Sequence, residues 1–309
     1  MTNRFTFEKY LILILLGLLL TQTACETIIT IDPPKHTPQI ALHAFPNQRN
    51  PNQLLILASQ TVGIFDSLQL LNDAILELEG PEGIRYPKPN ELLEVRDTFF
   101  FEDTFIVTRY LINSYNFALD DLNLKEGATY TLRGSYPGFP GAVATQKIPF
   151  TILPDSVIYT ENAGLDQFGD PVSALDIFWK DPPNEKNFYK ARLLRDTTPS
   201  QFTRGEWLES IDPAASKYEE GITISDNTFD GESKRLRVTF YRQWSGSNNK
   251  FFLEWSCINE DTYQYGKSLL RYWDSVDNPF VTPAQLFTNV NGGVGIFSMY
   301  KRNYIEIQD

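Results

Sequence analysis

From residue 39 onward, apolar and polar side chains alternate along most of the chain. The runs "QIALHAF", "QLLILASQ", "AILELEG", "TFIVTRY", "TYTLRGSY" and "AVATQKIPF" follow in quick succession, separated by Pro, Gly, Asn and Asp clusters. A period of two sends successive side chains to opposite faces, so each run predicts a strand with one face free to be buried. In "NDAILELEG", Ala74, Leu76 and Leu78 face one way and Ile75, Glu77 and Glu79 the other, which predicts an exposed hairpin arm. No long amphipathic helix interrupts this stretch, and the spacing predicts an all-β sandwich.

At "IPFTILPDSVIY" the pattern resets between Pro149 and Pro154, which places a domain boundary near residue 152. The strand signature then returns in "ALDIFWKD", "FYKARLLRD", "RLRVTFYRQW", "KFFLEWSCI" and "GIFSMYKRNYIEI". One segment, "NEDTYQYGKSLLRYWDS", has helical spacing instead: Tyr263, Leu269, Leu270 and Trp273 fall near one side of a 3.6-residue wheel, and Asn259 is placed to cap the first turn. The expected fold class is therefore mainly β. It consists of two Ig-like β-sandwich domains, 39–151 and 152–309, with one short helix near 260–274 in the second.

Composition narrows the chemistry. The 309 residues carry a formal net charge of −12 and no basic stripe, which argues against nucleic acid as a partner. Two His and two Cys are poor material for a zinc site or a thiol enzyme, and no cofactor is expected. Aromatic residues make up 14% of the chain, a share that suits strands and binding faces.

The first residues read as an address. In "MTNRFTFEKYLILILLGLLLTQTAC" a charged start (Arg4, Lys9) precedes an apolar run from Leu11 to Leu20, and Ala24 and Cys25 follow. The run is short for a membrane span and suits a signal-peptide core. A cysteine directly after small residues is the mark of a bacterial lipoprotein signal, in which the Cys25 thiol receives a diacylglycerol and residues 1–24 are removed; Gln22 stands where Leu is usual. "ETIITIDPPKHTP" then reads as a stiff tether, giving a lipidated segment 25–38. With Cys25 lipidated, Cys257 has no partner. It alternates with Phe251, Leu253 and Trp255 on one strand face, where a buried, inert thiol is expected.

Four groups of residues invite a functional reading. The glycines of "NVNGGVGIFSMY" lack the lysine, hydroxyl and following helix of a phosphate loop. They predict a turn with positive φ over Asn291 to Gly293 and then a closing strand of the second sandwich. "SDNTFDGE" imitates the start of a calcium loop through Asp226, Thr228 and Asp230, but its twelfth position is Arg237 and its flanks are strands. An Asp-Gly turn is the simpler reading, and no metal is assigned. His36 and His43 are expected in surface or edge roles. Tyr136 and Phe139 in "GSYPGFPGAV", and Trp244 in "FYRQWSGSNNKFF", stand among turn residues. They are either ligand- or partner-contacting rings at loop tips or rings that fold back onto the sandwich.

The order of these features carries a resemblance. The lipoprotein cysteine is followed by "NDAILELEG" and "GATYTLRGSYPG", then by "ISDNTFDGE", "SCINEDTYQYGKSL" and "FTNVNGGVGIFSMY". Asn289, Gly293, Gly295 and Phe297 match an N-x-x-x-G-x-G-x-F ending. The chain thereby resembles a Bacteroidota outer-membrane lipoprotein family of unknown function, lipid-anchored and two-domain, whose members are usually encoded beside TonB-dependent receptors. The resemblance implies no catalytic residues. It implies a non-enzymatic accessory or substrate-capture subunit of a TonB-dependent uptake system, on the periplasmic or the surface-facing side of the outer membrane. A stand-alone surface lipoprotein that binds glycan or peptide is the alternative. A hydrolase is the third reading, although nothing singles out a catalytic pair among the many carboxylates.

Overall fold

The computed structural model describes residues 35–47, 52–63, 69–101, 104–198, 201–218, 221–241, 250–276, 281–282 and 284–307, with side chains except at 89–113 and 196–204. Cys25 and Trp244 lie outside the described residues. The protein is mainly β. In chain order the first elements are β1 (Ile40–Pro46), β2 (Gln53–Gln60), β3 (Gln69–Leu70), β4 (Ile75–Gly80), β5 (Gly83–Arg85), β6 (Lys88–Phe101), β7 (Thr104–Ala118), α1 (Leu119–Leu122), β8 (Thr129–Ser135) and β9 (Ala142–Lys147). The others are β10 (Ser156–Leu165), β11 (Pro171–Lys180), β12 (Phe188–Thr198), β13 (Gln201–Glu206), β14 (Ala215–Tyr218), β15 (Gly221–Ser225), β16 (Ser233–Phe240), β17 (Lys250–Ile258), α2 (Glu260–Val276), β18 (Val294–Phe297) and β19 (Asn303–Ile307).

Four sheets result. One has the order β18-β1-β2-β7-β6, with β3 on β2, and a second has the order β5-β4-β8-β9. Between them Leu42, Leu54 and Ile56 meet Leu76, Leu78 and Leu132, the apolar halves of alternating strands. The expected exposed arm is thus a sheet strand whose Leu76 and Leu78 are buried, because a second sheet covers that face. The third sheet is β10-β11-β16 and the fourth is β14-β15-β12-β17-β19, with β13 on β12. Their shared core is aromatic: the Trp179 ring lies 5.0 Å from Trp255, 5.2 Å from Tyr189 and 5.6 Å from Phe229, centroid to centroid. Such offset and edge-on contacts add to the burial of large apolar surface. Cys257 lies in this core, unpaired and buried, and its Sγ accepts the Ile152 N–H at 3.2 Å. Burial pushes its thiol up to about 11, which matches an inert residue.

The closing strand does not belong where the sequence suggests. β18 runs parallel to β1, Leu42 opposite Gly295 and Ala44 opposite Phe297, so it completes the first sheet rather than the second. Just before it, Asn291 and Val143 of β9 exchange backbone hydrogen bonds of 2.8 and 2.9 Å. One segment therefore ties together the two sheets of the first core, and Val290, Phe297 and Met299 fill that core. Asn289 holds the segment in shape: its Oδ1 accepts the Phe297 N–H and its Nδ2 donates to the Phe297 carbonyl, both at 2.9 Å. Positive φ falls on Gly292 and Gly295, not on Asn291 or Gly293. A Cβ at Gly293 would overlap the Ile40 carbonyl oxygen, and one at Gly295 the Leu42 carbonyl oxygen. The glycines serve close approach of two backbones, not a phosphate.

The α2 helix sits between both cores. The Asn259 side-chain oxygen accepts the Thr262 hydroxyl at 2.7 Å at its start, and Asp261 accepts from Gln146 Nε2 at 2.6 Å and from Asn289 Nδ2 at 3.1 Å. Its buried residues are Thr262, Tyr263, Gly266 and Ser268, while Trp273 is exposed, so the helix is covered at its first half rather than along the expected stripe. His43 is half-buried on β1 between Leu57 and Ile296, and that burial lowers its pKa; His36 is exposed.

Gly295→Ala tests the close approach. Its φ of +119° and the Leu42 carbonyl oppose any side chain, whereas Gly138, with φ +87°, faces open space. Gly295→Ala should lower unfolding stability by about 2 kcal/mol or more, and Gly138→Ala by about 1 kcal/mol, measured by urea titration. Equal effects at the two positions would contradict the close-packed reading.

Candidate functional site

The turn Asp226–Glu232 joins β15 to β16 and packs on the connection between β11 and β12. Asp226 and Asp230 come together here, Thr228 is exposed, and the third carboxylate is Asp181, from that neighbouring connection. Oxygens of Asp181, Asp226 and Asp230 lie within 4.8 Å of one another, a set that could hold a cation. Each acid is also an acceptor for the local backbone. Asp181 takes the Tyr189 hydroxyl and, at 3.0 Å, the Gly231 N–H. Asp226 takes the Asn187 N–H at 2.6 Å and Asp230 the Asn184 N–H at 2.9 Å. These bonds account for the acids as anchors of two touching turns, so the sequence reading as an Asp-Gly turn accounts for the geometry. Arg237, at the twelfth position of the imagined loop, instead forks Asp176 on β11 and, with Arg235, holds that carboxyl down at about 2.

The rings expected at loop tips fold back. Tyr136 and Phe139 pack against the first core and meet each other edge-on at 5.8 Å, because the Pro-rich tip has core surface beneath it. A different apolar surface is exposed at one end of the second half. The β10–β11 hairpin carries Leu165 and Phe168, the latter 79% exposed. Asp166 shapes the tip by accepting the Phe168 and Asp170 N–H groups, both at 2.8 Å, and it also receives the Tyr241 hydroxyl. Tyr241 directly follows β16. Glu209 and Thr239 form an antiparallel bridge, two residues along the chain from Trp207, 58% exposed, and from Tyr241, 37% exposed. Leu165, Phe168, Trp207 and Tyr241 are exposed on neighbouring segments, and the Tyr241 hydroxyl on Asp166 ties the hairpin tip to the end of β16. Residues 242–249, which hold Trp244, lie outside the described residues.

Neither the trio nor this surface was legible from spacing alone. Asp181 sits 45 residues before Asp226 and only the fold unites them. Trp207 and Phe168 stand alone in polar loops, where single exposed apolar residues are ordinary. "LDQFGD", a hairpin tip with a large ring in it, was the one available local signal.

Asp226 offers a pH test. Burial raises its carboxyl pKa first of all, and the charges of Asp181 and Asp230 add to the rise. The folded protein therefore holds that proton more tightly than the unfolded chain does. The resulting stability is full below the unfolded value, about 4, and is lost as pH rises through the raised folded value. Asp226→Asn keeps an acceptor for Asn187 and removes the charge. Its stability relative to the parent should rise between weakly acid and neutral pH in parallel urea titrations. A variant weaker than the parent at neutral pH only when calcium is present would indicate a cation site instead.

No curated protein and no solved structure matches the chain. Residues 26–304 match a protein family described as a domain of unknown function, and that match takes in both cores, the Asp226–Glu232 turn and the Asn289–Phe297 segment. On that coverage the chain belongs to the DUF4249 family.

Proposed function

We propose that the protein is an outer-membrane lipoprotein, anchored through Cys25, that serves a TonB-dependent uptake system as a non-enzymatic accessory or substrate-capture subunit. The observation that carries this reading is the exposed surface of Leu165, Phe168, Trp207 and Tyr241 on a body that follows a lipoprotein-type leader. Large rings that a monomer leaves in water suit docking, since aromatic anchors dominate the energetics of interfaces. The resemblance to lipoproteins encoded beside TonB-dependent receptors supports the choice of partner. In the same reading the two cores are Ig-like β-sandwiches, built mainly from 39–151 and 152–309 with residues 290–299 completing the first, behind a signal peptide of residues 1–24 and a tether of residues 25–38.

The mechanics follow from the anchor. A lipid confines the body to the membrane plane and raises its effective concentration beside a receptor in the same membrane. The prolines of "DPPKHTP" favour extended backbone over a helix, a composition that suits a spacer between an anchor and a body that meets a partner. A stand-alone binder of glycan is favoured by one feature of the same surface: Trp207 and Tyr241 lie beside the carboxylates of Asp166 and Glu209, and rings with adjacent acceptors suit a sugar face and its hydroxyls.

Two measurements test this. Cys25→Ser should move the protein from the membrane to the soluble fraction, and membrane retention without acylation would exclude the anchor. Affinity recovery of the tagged native protein in mild detergent should bring down an outer-membrane receptor. The double variant Phe168→Ala, Trp207→Ala should cut that recovery about tenfold or more with an unchanged melting temperature. Recovery of no receptor, together with binding of the purified protein to oligosaccharides, would favour the stand-alone reading.

A further inference from the structure

The second six-stranded sheet buries both of its faces, and the outer one is polar. On β12, Tyr189, Ala191 and Leu193 enter the aromatic core, so Lys190 and Arg192 face the other way, toward α2. Both are nonetheless buried, Lys190 at 4% exposure. Tyr218 covers Lys190, its ring 4.3 Å below the ammonium, and is itself pressed against Gly266 of α2, where a Cβ would overlap the ring. The Lys190 Nζ donates to the Tyr300 hydroxyl at 3.3 Å. Glu254 pairs with Arg192 at 3.6 Å, and among the described residues no carboxylate pairs with Lys190.

Two hydroxyls stand on either side of that ammonium. Thr223 on β15 and Ser256 on β17 are the cross-strand neighbours of Lys190. They share its face, since Ile222, Ile224, Trp255 and Cys257 take the core side. Thr223 and Ser256 are buried at 1% and 0% exposure, and among the described residues neither hydroxyl has a hydrogen-bond partner. Neighbouring strands lie about 4.8 Å apart, so three donors stand abreast within roughly 10 Å. A buried cation that meets two rings and a hydroxyl, and no carboxylate among the described residues, keeps most of its desolvation cost. Water would satisfy the two hydroxyls but would bring no counter-charge.

The row also has an entrance. A cleft of about 410 Å³ is lined by Asn52, Asn123, Tyr300, Lys301, Arg302 and Tyr304, among others. Tyr304 is the cross-strand neighbour of Glu254, and Asn303 of Trp255. The link to the buried row is Tyr300, which lines the cleft and whose hydroxyl accepts from the Lys190 ammonium. Lys301 and Arg302 line the same cleft with Asp120, and the Arg302 guanidinium donates to the Asn47 carbonyl at 2.8 Å.

We propose that this row is an anion-binding site: a carboxylate or phosphate group of a small molecule enters at Arg302 and Tyr304 and is held by the Lys190 ammonium with the Ser256 and Thr223 hydroxyls. One oxyanion answers all three donors and supplies the missing negative charge. The site is separate from the exposed apolar surface and does not depend on the envelope role.

The test is thermal unfolding and titration calorimetry of the full-length protein in mild detergent, with sodium phosphate or sodium acetate against sodium chloride at equal ionic strength. At least one of the two anions should raise the melting temperature above the chloride value, because a ligand of the folded state stabilises it. A response to phosphate alone or acetate alone assigns the group. Lys190→Met should weaken binding roughly tenfold or more, and Ser256→Ala should weaken it by a smaller factor. If Lys190→Met does not fold, Ser256→Ala and Thr223→Val decide the matter, each with a reduced response supporting the site. No response beyond chloride would overturn the proposal and leave a water-filled row. A full response retained in the substituted proteins would overturn it as well.

Discussion

The backbone contact between Gly295 and the Leu42 carbonyl holds the rest of the structure in place. A strand from the far end of the chain can lie parallel to β1 only if nothing projects from it there, and Gly293 and Gly295 meet that condition. Their register puts Phe297 and Met299 into the first core, and the Asn289 clamp fixes the turn that leads to them. Through Asp261 the same asparagine reaches α2. The helix in turn covers the outer face of the fourth sheet, where Tyr263 packs with Phe188, Ile258 and Tyr300. Thr37 to Asp309 consequently forms one compact unit, although it holds two hydrophobic cores.

That arrangement has consequences for chemistry at both ends of the second half. Covering the outer face of the fourth sheet desolvates Lys190, Thr223 and Ser256, which an open sheet would leave in water. Among the described residues no helix covers the β10–β11 hairpin, and Phe168 and Trp207 are exposed. One face is therefore a buried polar row reached by a cleft, and the other is an apolar surface edged with acids. The first suits a small anion and the second suits a larger partner, so capture and docking need not compete for the same residues.

Much of the fold was legible in the sequence because alternation is local. "IALHAF", "LLILASQ", "ALDIFWK" and "KFFLEWSCI" each form the expected strand, and the helix begins at Glu260 after Asn259. Pairing across about 250 residues leaves no such local trace, which is why the glycine stretch read as a turn into the wrong sheet. The same limit hid Asp181 from Asp226. In "FYKARLLRD", Lys190 and Arg192 alternate with apolar residues, a local pattern that does not say what covers their face. Only the placement of α2 over that face turns them into a buried site. For Tyr136 and Phe139 the sequence left two outcomes open, since proline and glycine mark a loop tip but do not say whether its rings point outward; the structure shows the rings folded back.

The dependence of the first core on the last part of the chain can be measured directly. Residues 37–152, produced alone, contain β1 to β9 but lack Val290, β18 and Met299. A proton–nitrogen correlation spectrum of that fragment should be poorly dispersed, and dispersion should appear when a peptide of residues 286–300 is added. A fragment that gives a well-dispersed spectrum and unfolds cooperatively without the peptide would contradict the closure by β18 on which this structural account rests.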